Sequence, residues 1–154
     1  MHTYHYATVW ARAGWDISPY GTTHADYFYG TIPCCRLLTR DEVEEAYELN
    51  SGKVIADYFQ KNEINPLHLP AALLKSHGSF AWGSDAQTAL HNAVVLEEVA
   101  RMALETELLM GKTNKRPMAQ YVLDKHFLRK HGPGLITGRV NRGLSLFIQS
   151  AVIQ

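Results

Sequence analysis

Three stretches of this 154-residue chain carry groups able to bind a metal or move a proton where a fold can present them. In Leu73-Leu74-Lys75-Ser76-His77-Gly78-Ser79-Phe80-Ala81-Trp82-Gly83, an apolar run delivers one imidazole into a glycine-containing turn that opens a long helix. Ala71 to Leu74 read as a short buried strand, and Gly78 and Gly83 supply permissive backbone. A lone histidine after a strand is ordinarily a satisfied core residue, but one in Ser-His-Gly at a strand-to-turn junction is placed to hold a ligand. In Thr22-Thr23-His24-Ala25-Asp26-Tyr27-Phe28-Tyr29-Gly30-Thr31-Ile32-Pro33-Cys34, one carboxylate sits among three aromatic rings. Such an aspartate is often a turn former; enclosed by rings beside His24, Asp26 is equally a candidate general base. His126, in Lys125-His126-Phe127-Leu128-Arg129-Lys130-His131-Gly132, lies near a helix C-terminus, where the dipole favours a histidine and where the ring could also touch substrate.

The elements that must position these groups read as follows. Met1 to Ala11 is rich in β-formers and reads as extended chain; Trp10 to Trp15 end a strand, and Ser18-Pro19-Tyr20-Gly21 is a turn. Thr39-Arg40-Asp41-Glu42 has capping-box spacing and starts a short helix. Ser51-Gly52 opens a second, whose Val54, Ile55, Tyr58 and Phe59 form one buried face. Ser84-Asp85 caps the longest helix, with Leu90, Ala93, Val94, Glu97, Ala100 and Leu104 on one side. Glu97 is the anomaly of that stripe: a carboxylate paired across a subunit contact, one orienting a ligand, or a residue at the stripe's edge. Pro117 suits the first turn of a last helix carrying Met118, Tyr121, Val122 and Phe127, which Gly132-Pro133-Gly134 ends. Short strands before Gly30 and around Leu73, interleaved with three helices, indicate α/β layering.

With 46% apolar residues the chain can bury one core. Fifteen basic residues balance fifteen acidic ones without a basic face, which argues against nucleic acid and anionic membrane as partners. Cys34 and Cys35 are adjacent, so neither a disulfide framework nor a cysteine metal site is indicated. With no signal-like or membrane-length apolar run, a cytoplasmic location is expected.

The three stretches together, from about His2 to Gly134, resemble the L-ribulose-5-phosphate 4-epimerase branch of the class II aldolase family. The resemblance implies an α/β/α fold with a largely antiparallel central sheet between helices. It also implies a divalent metal, zinc, on three histidines; a pentulose phosphate substrate; and a homo-oligomer with its active site between subunits. Residue for residue it places the family's catalytic aspartate on Asp26 and its third metal ligand on His77, and sets His126 in a substrate-contacting motif. The opening strand of the family is written His-Thr-His-Ser ahead of Ala-Thr, its two histidines on one side of an extended segment. Here Ala7-Thr8 follow Met1-His2-Thr3-Tyr4-His5-Tyr6. An ungapped count puts Met1 and Thr3 at the ligand positions; a one-residue deletion aligns His2, with Tyr4 or His5 second. His2 is the favoured ligand and His5 the weaker one, and both could instead be exposed histidines on a frayed terminus.

Both ends depart from the family. Residues 1–134 read as the domain without its N-terminal part, including the glycine- and serine-containing phosphate loops. After Gly134 the family continues Ala-Tyr-Tyr-Gly-Gln, the second tyrosine being the catalytic acid, where this chain has Leu135-Ile136-Thr137-Gly138-Arg139. Deleting one base from codons for the family ending yields Leu-Ile-Thr-Gly-Arg, so residues 135–154 are expected to be an out-of-frame tail; codons that fail to restore the family ending on a one-base shift would end that idea. The chain as written is expected to have little or no epimerase activity. Two other readings stand beside the epimerase: a class II sugar-phosphate aldolase, and a non-catalytic truncated protein.

Overall fold

The computed structural model describes residues 4–111 and 116–132; His2 and the tail from 135 to 154 lie outside the described residues. Among the described residues, five helices and three short strands follow the order α1 (His5–Ala13), α2 (Thr22–Tyr27), β1 (Cys34–Cys35), α3 (Arg40–Lys61), β2 (Ala71–Leu74), β3 (Gly78–Ala81), α4 (Ala86–Met110) and α5 (Gln120–His131). The α/β class is as expected. The sheet is small and mixed: β1 runs parallel to β2, pairing Cys34 with Leu73, and β2 runs antiparallel to β3, pairing Ala71 with Ala81. Every residue of β2 and β3 is buried, because α1, α3 and α4 pack on the strands.

The opening segment is the main correction. His5 begins a helix where extended chain was expected, and Trp10 belongs to that helix; among the described residues no strand precedes Gly30. Ala7, Trp10 and Ala11 recur at i, i+3 and i+4 and form its buried face. Gly14, at φ 71°, ends it in the left-handed conformation. A Cβ there would also come within 3.0 Å of the Lys75 side chain. The N-terminus has no cap of its own. The Glu97 carboxylate, reaching from α4, instead accepts from the backbone N–H of Tyr6 at 2.7 Å and of Ala7 at 2.9 Å. Glu97 thus satisfies two donors that the helix cannot, and places negative charge at its positive end. Glu97→Gln offers one acceptor oxygen where two are used, and is expected to cost roughly 1–2 kcal/mol, read as a lower urea midpoint at unchanged m-value.

Other boundaries move less. The Thr39 capping box is present, but the helix it starts runs on to Lys61 with a break at Ala46 (φ −162°) rather than at Ser51-Gly52. Gly78 to Ala81 form β3 where a turn was expected, so the long helix opens at Asp85, whose side chain accepts from the Thr88 N–H. Its buried face is Ala89, Asn92, Ala93, Leu96, Val99, Ala100 and Ala103, leaving Leu90 and Val94 exposed. The last helix begins at Gln120, beyond Pro117, and buries Leu123 and Phe127 while Tyr121 faces water.

Candidate functional site

Of the residues singled out above, the structure pairs Asp26 with His126. The geometry starts from α2, where His24 and Ala25 turn inward and the next residue, Asp26, is left facing α5. His24 is buried and its Nε2–H donates to the Gly30 carbonyl at 2.7 Å, folding the chain back beyond the helix; Gly30 takes φ 111° to make that turn. The Phe28 N–H closes α2 on the His24 carbonyl at 2.8 Å, and the Tyr29 N–H donates to the His68 carbonyl at 2.8 Å. Burial pushes the His24 imidazole down to about 4, opposed only in part by the bond to Gly30, so the ring is neutral at physiological pH. Its Nδ1 is buried without a partner among the described residues.

From the other side, α5 is anchored by Phe127, which packs on Tyr29 with ring centroids 4.9 Å apart and on His68 at 5.5 Å. The Tyr29 hydroxyl donates to Asp124 at 2.7 Å; burial first, then that carboxylate, raise its pKa. These contacts bring His126 Nδ1 to 3.1 Å from Asp26 Oδ1, both side chains about one-quarter exposed. A carboxylate only accepts, so Nδ1 carries the proton. Arg129 Nη2 lies 3.7 Å from the same oxygen, and His131 Nε2–H donates to the Asp26 carbonyl at 2.9 Å. The Lys130 ammonium stands 3.3 Å above the Tyr27 ring, which packs against His91. A carboxylate with one oxygen held and the other without a partner among the described residues, next to a histidine at a partly open surface, is equipped to take up and return a proton. Arg129 and His131 were not singled out in the sequence; the basic last turn of α5 was their only signal.

His77 is seated elsewhere. It ends the tight turn between β2 and β3, with Ser76 at φ 62°, and the turn is tied down by bonds from the His77 N–H to the Leu74 carbonyl and from the Ser76 N–H to the Ala11 carbonyl. The imidazole stacks on Tyr47 (5.5 Å, 28°) and lies against Phe80 at 5.1 Å, and burial lowers its pKa. It lines a surface cleft of about 370 Å³ with Leu37, Val43 and Tyr47. A neutral imidazole suits metal binding, yet among the described residues no three histidine, cysteine or acidic side chains converge on one point. His5, the other described candidate, is exposed at the start of α1, edge-on to Tyr6. It occupies a helix rather than the extended segment on which alternate histidines would share a side. The described residues therefore do not by themselves assemble a metal centre.

Residues 140 in number, 90% of this chain, are 51% identical to the L-ribulose-5-phosphate 4-epimerase UlaF of Salmonella paratyphi B. The proteins of that name from Salmonella typhi and Salmonella paratyphi C match over the same length at 51% and 50%. The chain spans 60% of the length of each of these relatives. Residues 1–104 match the family described as Class II Aldolase and Adducin N-terminal domain, and they include α1, the Asp26 helix and the His77 turn. The chain belongs to that family.

Proposed function

We propose that the chain carries one proton-transfer half of an L-ribulose-5-phosphate 4-epimerase site, working on a pentulose phosphate by retro-aldol cleavage and re-addition. The Asp26–His126 pair carries this reading, at 3.1 Å across 100 residues of sequence, together with the name of the 51% identical relatives.

The carbon to be inverted, C4, bears no acidic hydrogen, so simple deprotonation does not invert it. Asp26 takes the proton of the C4 hydroxyl through its free oxygen while His126 and Arg129 hold the other. The C3–C4 bond breaks, and its electron pair passes toward C2 to leave the enolate of dihydroxyacetone and glycolaldehyde phosphate. The aldehyde turns its other face, the C3–C4 bond re-forms, and the alkoxide recovers a proton from a group on the opposite side. Zinc is the proposed form of the family's divalent metal, with His77, His2 and His5 as proposed donors. A cytoplasmic homo-oligomer with its site between subunits belongs to the same proposal, supported by the exposed Leu90 and Val94 on α4.

The test supplies purified chain and zinc with ¹³C-labelled L-ribulose 5-phosphate and follows the products by NMR over hours. Slow formation of D-xylulose 5-phosphate, far below that of an intact relative, is expected. Net accumulation of dihydroxyacetone and glycolaldehyde phosphate would favour the aldolase instead. No conversion, together with no stoichiometric zinc by metal analysis, would leave the non-catalytic reading.

A further inference from the structure

The Asp26 carbonyl is one of the last in α2, a helix of six residues whose final carbonyls have no turn beyond them to bond to. Phe28 N–H goes back to His24, and Gly30 N–H goes to Phe28. The donor that reaches the Asp26 carbonyl comes from 105 residues away, His131 Nε2–H at 2.9 Å. The His131 ring is held in turn: it stacks on Phe127 with centroids 4.4 Å apart and planes 26° apart, and Phe127 is buried against Tyr29 and His68. The C-terminal half of α5 therefore grips Asp26 twice, His131 by its main chain and His126 by its carboxylate.

We propose that His131 is a positioning residue for the Asp26–His126 pair, its Nε2–H capping the end of α2 so that the Asp26 carboxylate meets His126 Nδ1. The inference deepens the proposed function and rests on Asp26 as the proton-transfer group. A packing role and a hydrogen-bonding role for His131 are separable by substitution. His131→Phe keeps a ring on Phe127 and removes the donor; His131→Gln gives up the ring and keeps an N–H that reaches a carbonyl. His131 is solvent-exposed, so neither change empties the core.

The primary readout is the proton NMR signal of the His126 Nδ1–H in its bond to Asp26, displaced downfield by the carboxylate and assigned by its move upfield in Asp26→Asn, whose neutral amide oxygen is a weaker acceptor. It is expected in the wild-type chain and in His131→Gln, and expected to vanish into exchange with water in His131→Phe, with circular dichroism and melting temperature unchanged in both. In the same variants, conversion of L-ribulose 5-phosphate per folded molecule is expected to fall about 10- to 100-fold in His131→Phe and to survive in His131→Gln. A downfield signal kept unchanged in His131→Phe, or lost equally in both variants, overturns the positioning role. If instead the signal follows this pattern while Asp26→Asn converts substrate as fast as the wild type, the positioning stands and the assignment of Asp26 to catalysis fails.

Discussion

Acidification from pH 7 to pH 4 is expected to remove roughly 3 kcal/mol of stability through His24 alone, the value of a base whose pKa drops from its ordinary 6.5 to about 4 on folding. The native state buries the ring with Nε2–H on the Gly30 carbonyl and an unpartnered Nδ1, so a second proton has no acceptor and no water to face. Between the two pKa values the unfolded chain binds that proton and the native one does not; stability therefore rises with pH through this window and is lost as pH falls through it. His68, lowered by burial and then by the nearby charge of His131, adds in the same direction. Urea unfolding of wild type and His24→Gln at pH 7, 5 and 4 isolates the His24 contribution, because glutamine keeps a donor for Gly30 and does not titrate. The wild type is expected to lose about 3 kcal/mol more than the variant over that range. Parallel losses in the two proteins would show that the ring is hydrated in the native state.

The features legible in the sequence were the local ones. The Thr39 box, the Asp85 cap and the buried run from Ala71 depend on residues within four positions of one another, and the structure has all three; of the turn expected from His77 onward it keeps only the strand-to-turn junction, because Gly78 to Ala81 pair with β2. The opening segment misled because Tyr, Thr, Val and Trp favour strands, while the decisive cap is a carboxylate some 90 residues away. The long helix misled for a different reason. Helical spacing sets Leu90 and Val94 on one face with Ala93 and Ala100, but α1 packs closely on α4, and there the small faces of Ala7, Ala11, Ala93 and Ala100 are buried and Trp10 Nε1–H reaches the Ala100 carbonyl at 2.9 Å. Asp26 and His126 were each visible, yet their pairing is a product of the packing of α2 on α5, which no spacing in the chain encodes.

Asp26→Asn is expected to lower the conversion of L-ribulose 5-phosphate by about 10²- to 10⁴-fold, the range a positioned proton-transfer group contributes, with little change in stability. Asparagine fills the same volume, and its amide oxygen still accepts from His126 Nδ1, so the α2–α5 contact survives. What disappears is an oxygen basic enough to take the hydroxyl proton while the carbon–carbon bond breaks. Loss of the partner charge for Arg129 costs little, because that side chain is 65% exposed and 3.7 Å away. The two roles open to this carboxylate then separate in one experiment. A proton carrier gives a variant with a wild-type urea midpoint, an unchanged KM and a collapsed kcat. A merely structural aspartate gives the reverse, a lowered midpoint with turnover per folded molecule intact, and that outcome would remove Asp26 from the chemistry.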